Sequence, residues 1–239
     1  MPAAPPFQFE AGELLLIDKP KGLTSFDVVA RVRNATGVRK VGHGGTLDPL
    51  ATGLLIVGTG RKTSMLGQLQ NDTKEYLFEV CFGFTTASYD AEQPPENERD
   101  TSALTAEAIE AALEPFRGAI EQLPPAFSAV KVGGRSAYAA ARKGQPLELK
   151  PRQVEVERFD LLHYEPPLAV FRVACSKGTY VRSLAHDLGQ ALGVGGYVTE
   201  LQRTRIGSWQ LADAWPLDAL LAEARRQTGR ERPPAAGNS

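Results

Sequence analysis

Five residues in one short stretch constrain the fold more than any other part of the sequence: Tyr76, Phe78, Val80, Phe82 and Phe84 occupy every second position. Alternation at period two puts their side chains on one face of a β-strand, and a row this rich in aromatics requires a sheet with a buried face. The pattern predicts a strand whose apolar face meets the core, with Tyr76 at the end of the row. Leu14 to Ile17 and Leu54 to Val57 read as further short buried strands, and strand patterns recur at 154–156, 168–175 and 197–209.

Helix signals are interspersed among these strands. Thr24 or Ser25 caps a helix carrying Phe26, Val29 and Val32 that ends at Gly37, and Thr105 caps another carrying Ile109, Ala112 and Leu113. Ser136 to Lys143 predicts a short helix stopped by Gly144, Tyr180 to Leu192 a longer one closed by Gly193, and Pro216 opens a last one. Lys40 to Thr52 and Asp90 to Thr101 have the glycine, proline and acidic content of loops. No steady strand–helix alternation and no repeat period appear, so the expected class is α+β, a mixed and largely antiparallel sheet flanked by helices and loops. Residues 10–227 are expected to form the folded body, with disordered tails at 1–9 and 228–239.

Composition narrows the chemistry. With 239 residues, 42% of them hydrophobic, the chain can bury a sizeable core. No apolar run approaches the roughly 20 residues of a membrane helix, and Met1 to Pro6 has no signal-peptide pattern, so a cytoplasmic protein without membrane association is expected. Cys81 and Cys175 form no CxxC pair, and with only three histidines a metal site is not expected. A net charge of −1 gives no general attraction to nucleic acid. Local basic surfaces are present: Lys131, Arg135, Arg142, Lys143, Lys150 and Arg152 lie between 131 and 152 against the single acid Glu148, and Arg31, Arg33, Arg39 and Lys40 form a second cluster.

One loop concentrates chemistry. Gly42-His-Gly-Gly-Thr-Leu-Asp-Pro-Leu-Ala-Thr-Gly53 sets a histidine and an aspartate among glycines. It has neither the third glycine of a dinucleotide fingerprint nor a GxxxxGK[ST] sequence, which removes nucleotide cofactors. Taken alone, Asp48-Pro49 is the signature of a turn.

Wider motifs change that reading. Ile17-Asp-Lys-Pro-Lys-Gly22 with Thr24-Ser25, the Gly42–Leu54 segment, Lys74-Glu-Tyr76, Phe116-Arg-Gly, Pro124-Pro-x-Phe-Ser-Ala-Val-Lys131 and Cys175-Ser-Lys-Gly-Thr-Tyr-Val-Arg-Ser-Leu184 with Asp187-Leu-Gly follow one another in order. In these the chain resembles the TruB family, bacterial synthases that make pseudouridine-55 in the T loop of tRNA, over about Gly12 to Trp209. The resemblance implies a pseudouridine synthase fold with its cleft over the sheet, and an isomerase that needs no cofactor. It implies Asp48 as the catalytic carboxylate, Arg182 as its partner, Tyr76 and Tyr180 as rings of the uridine pocket, Leu201 as an apolar wall, and His43 as the group that fills the space left in the RNA. The 131–152 stretch, with Lys131, Arg135, Arg142 and Lys143, is implied to close over the T stem-loop. No obligate protein partner is expected, and a monomer suffices.

The chain departs from the family pattern in places. Gly44 stands where the family usually has Thr, and the Phe84–Asp90 segment keeps Asp90 but little else of the usual run. About thirty residues follow Trp209, so the PUA-type domain into which most relatives continue is expected to be absent. Two other classes fit parts of the sequence: a tRNA-binding or folding module with no catalysis or with a dual role, and a glycosidase-like hydrolase. The second normally needs two opposed carboxylates, and only Asp48 stands in a motif.

Overall fold

A computed structural model describes residues 7–230; residues 1–6 and 231–239 of the two expected tails lie outside the described residues. In chain order the first elements are β1 (Leu14–Lys19), α1 (Ser25–Thr36), β2 (Val41–His43), β3 (Thr52–Thr59), α2 (Leu66–Leu69), β4 (Lys74–Phe82), α3 (Ala106–Ala112) and β5 (Gly118–Gln122). There follow β6 (Lys131–Val132), β7 (Arg135–Ser136), α4 (Ala137–Ala141), β8 (Arg152–Glu165), β9 (Leu168–Cys175), α5 (Val181–Ala191), β10 (Gly196–Ile206), β11 (Trp209–Gln210), β12 (Trp215–Pro216) and α6 (Leu217–Thr228). The class is α+β, as expected. Among the described residues no helix is long and apolar enough to cross a membrane. The chain divides into two compact units, Met1–Asp72 with Arg203–Ser239, and Thr73–Gln202.

In the first unit β1 pairs antiparallel with β3, from Leu14 opposite Gly58 to Lys19 opposite Gly53, and parallel with β12. β1 buries Leu15, Ile17 and Lys19, so the row that begins as an apolar strand ends in a lysine. Leu54, Ile56, Leu66, Leu69 and Ile206 form an apolar cluster, with Leu14, Leu16 and Trp209 against it. α1 begins and ends as predicted: Thr24 and Asp27 make a reciprocal capping box, and Gly37 closes the helix at φ 73°. Its buried stripe runs through Ser25, Val28, Val29 and Val32 toward α6, which offers Leu217, Leu220, Leu221 and Ala224.

Three expectations need correction here. Phe26 is 76% exposed, because the stripe centres on Ser25, Val28 and Val32; its ring meets His43 edge-on at 5.5 Å instead. The predicted 40–52 loop is shortened, since β2 pairs with Val57–Thr59 of β3. The tail predicted at 1–9 is ordered at its inner end: Phe9 is buried, its ring stacks on Phe7, and its carbonyl accepts the Thr59 hydroxyl at 2.7 Å.

In the second unit residues 196–202 of β10 lie beside β4, followed by β9, β8 and β5. The alternating row of β4 turns inward as predicted: Phe78, Val80 and Phe82 are buried, and Phe78 and Phe82 meet Phe159 and Phe171 in an aromatic core. α5 buries Val181, Leu184, Ala185 and Leu188. Its Gly189 is a packing requirement, because a Cβ there would sit 2.3 Å from the Gly195 carbonyl carbon.

Candidate active site

The loop that bears Asp48 is fastened from below at nearly every residue around it. Ser25, the first residue of α1, donates its hydroxyl to Leu47 O at 3.2 Å and accepts Leu47 N–H at 2.9 Å. Lys19, at the end of β1, donates Nζ to Leu23 O at 2.7 Å, Pro20 O at 2.9 Å and Pro49 O at 3.5 Å. Pro49 O also accepts Gly22 N–H at 2.8 Å, and Asp48 O accepts Ala51 N–H at 3.1 Å. The Arg203 side chain, fully buried, gives Nε to Leu54 O at 2.8 Å, Nη1 to Thr46 O at 3.3 Å and Nη2 to Gly45 O at 3.3 Å. Sequence reasoning missed Arg203. The signal was present, since Arg203 follows Leu201 by two positions in a strand and so shares its parity.

Burial pushes the Lys19 pKa down to about 8, opposed by the charge of Asp48 and reinforced by that of Arg203. Burial also lowers the pKa of His43, which favours its neutral imidazole; Gly45 N–H lies 3.4 Å from its Nδ1. His43 and Asp48 thus stand on one segment, the histidine where β2 ends and the aspartate in the fastened turn.

The second unit holds Tyr76, Tyr180, Arg182 and Leu201. Arg182, in the first turn of α5, is buried: Nη1 donates to Ser88 O at 2.8 Å, Nη2 to Phe127 O at 2.9 Å, and Nε lies 3.4 Å from Asp90 Oδ2. Asp90, whose role the sequence left open, is buried as well and also accepts the Ser88 hydroxyl and Glu92 N–H. This pair satisfies the rule that buried charges need partners. Tyr180 caps α5, and the buried Gln122 clasps its backbone in both directions, at 2.7 and 3.0 Å. The Arg152 guanidinium lies 4.7 Å from the Tyr180 ring centroid, a cation–π contact that the basic cluster did not foretell. Tyr76, half-buried opposite Val173, and the buried Leu201 lie on the neighbouring strands β4 and β10.

Lys131 and Arg135 stand on the exposed β6–β7 hairpin, turned by Gly133 and Gly134. Arg142 and Lys143 follow α4, also exposed, and the Arg142 guanidinium is 5.9 Å from the Tyr138 ring centroid.

Residues 33–181 match the N-terminal domain of the TruB family pseudouridylate synthases, and residues 182–233 match the C-terminal domain of tRNA pseudouridylate synthase B. The chain belongs to the TruB family. The boundary between the two matched regions falls inside α5, between Val181 and Arg182, so it is no structural division. The protein called tRNA pseudouridine synthase B of Mycobacterium tuberculosis (strain ATCC 25618 / H37Rv) is 47% identical over 211 residues, 87% of this chain and 71% of that one. Its namesake in Mycobacterium leprae (strain TN) is 46% identical over 216 residues, 87% of this chain and 68% of that one. Among solved structures, one of a Cbf5-Nop10-Gar1 complex has a TM-score of 0.71 at 30% identity, covering 93% of this chain and 58% of that one. Another, of an H/ACA RNP bound to a substrate RNA containing 2′-deoxyuridine, has a TM-score of 0.68 at 28% identity and covers 93% and 57%. This chain spans under two thirds of those two solved chains.

Proposed function

We propose that the chain is a tRNA pseudouridine synthase that isomerises uridine-55 in the T loop of tRNA, with the Asp48 carboxylate as the reacting group. Membership of the TruB family carries the reading, and the fastened turn around Asp48 supports it, because a reacting carboxylate gains from a backbone that is already in place.

The chemistry asks for few parts. The N-glycosidic bond breaks, the uracil turns, and a bond forms from the sugar carbon to C5, whose proton is released as N1 gains one. Substrate and product are isomers, so the balance calls for no cofactor. A carboxylate serves either as a nucleophile that later leaves or as the partner of a developing cation. A stacked T-loop uridine must first swing out, at a cost of a few kcal/mol. Aromatic stacking worth roughly 1–3 kcal/mol per base offsets much of that, the role proposed for Tyr76 with Tyr180. Leu201 supplies an apolar wall, His43 fills the vacated space in the RNA, and Arg182 is proposed as the partner of Asp48 that holds its charge and orientation. Lys131, Arg135, Arg142 and Lys143 are proposed to engage the phosphates of the T stem.

Incubating the protein with a T-stem-loop transcript and detecting pseudouridine by base-selective labelling tests the reading. Conversion of the target uridine is expected. Binding without conversion would favour the tRNA-folding module, and release of free uracil the hydrolase.

A further inference from the structure

We propose that Arg203 and Ser25 are positioning residues for the reaction: together they lock the backbone of the loop that presents Asp48. The inference rests on the reading of Asp48 as the reacting carboxylate.

The three carbonyls that Arg203 clasps belong to two different stretches. Leu54 lies in β3 and is itself fully buried, whereas Gly45 and Thr46 lie in the turn before Asp48. One rigid, planar guanidinium thus ties the loop to the sheet. Ser25 ties it to a second rigid element, since its hydroxyl holds both polar backbone groups of Leu47 from the first turn of α1. Gly45 sits at φ 154°, a conformation that L side chains rarely adopt, so the turn facing Arg203 depends on glycine there. A buried arginine is costly to bury merely to fill space, and an apolar side chain would fill it more cheaply. The arrangement makes sense where backbone carbonyls must be kept in fixed places, and what lies between the clasped residues is Asp48.

Three variants separate the possibilities. Arg203→Lys keeps the charge but has one terminal nitrogen, which cannot occupy the separate positions from which Nε, Nη1 and Nη2 reach their carbonyls. We expect its single-turnover rate on the T-stem-loop to fall roughly 10²-fold, the cost typical of a misplaced reacting group, with RNA affinity within about threefold of wild type. The Leu47 and Ala51 amides should lose hydrogen-exchange protection while those of β1 and α1 keep theirs. Ser25→Ala should slow the reaction about tenfold and expose the Leu47 amide, again with affinity unchanged. Wild-type rates in both variants would overturn the proposal, as would a rate loss matched by equal loss of RNA affinity or of protection throughout β1. Should Arg203→Lys fail to fold, Ser25→Ala decides by the same criteria. Asp48→Asn serves as the reference: if it retains full activity, the assignment of Asp48 has failed, whereas an inactive Asp48→Asn beside fully active clamp variants overturns the clamp alone.

Discussion

The segment that carries Asp48 and the hairpin that carries Lys131 and Arg135 are built in opposite ways. Around Asp48 the backbone is held by side chains from β1, α1 and β10, two of which are buried cations bonded to carbonyls. The hairpin has two strands of two residues each, five exposed residues from Lys131 to Arg135, and a five-residue helix after it. The first arrangement suits a group that must be in place before the substrate arrives. The second suits charges that need only be near a polyanion, for which long-range attraction does not demand fixed geometry. On the roles proposed above, the chain separates reacting precision from binding strength by where it places buried hydrogen bonds.

Four measurements break or sharpen this contrast. The largest effect is expected for Asp48→Asn: pseudouridine formation should fall by more than about 10³-fold while tRNA affinity stays within about tenfold, because shape survives and the charge does not. Comparable losses in both would merge the two roles. Next comes the buried pair of the second unit. Arg182→Met removes one charge of a pair in which both side chains are almost fully buried, at a cost of about 3–5 kcal/mol, a melting point lower by roughly 10 °C. An unchanged melting point would mean that the pair is as solvated as the hairpin charges.

Removing Lys131 and Arg135 together should leave stability within about 0.5 kcal/mol but weaken tRNA binding and reduce its salt slope by up to about 2. An unaltered slope would take the hairpin out of the RNA interface. A fourth measurement concerns Lys19, whose folded pKa of about 8 lies below its ordinary 10.5. Between those values the folded chain has released a proton that the unfolded chain still holds, so stability rises with pH across that window. The contribution is complete above about 10.5 and lost as pH falls through about 8. Denaturant melts of wild type against Lys19→Met over that range should show the wild type gaining on the variant; a flat difference would mean that Lys19 titrates like a solvated lysine.

Much of the framework was legible because its signals are local. Thr24 and Gly37 delimit α1, Thr105 starts α3, and the period-two row through Phe78, Val80 and Phe82 turns inward. What escaped was non-local. Nothing near Phe26 reveals that its side chain lies off the buried stripe, and nothing near Val41 reveals that it will pair with Thr59. Motif resemblance proposed Asp48, Tyr76 and Arg182 for the site, but it did not reveal the Arg203 clasp, the Gln122 hold on Tyr180 or the Arg152–Tyr180 contact.

By itself the sequence determined the α+β class, the limits of most helices, and the family, through motifs that are short and contiguous. Tertiary structure alone decided which charges go inside. Lys19, Asp90, Arg182 and Arg203 look from sequence like ordinary polar residues, yet all four are buried. A buried ionic group is tolerable only when carbonyls or an opposite charge are waiting for it, and those partners come from distant parts of the chain that no local pattern records.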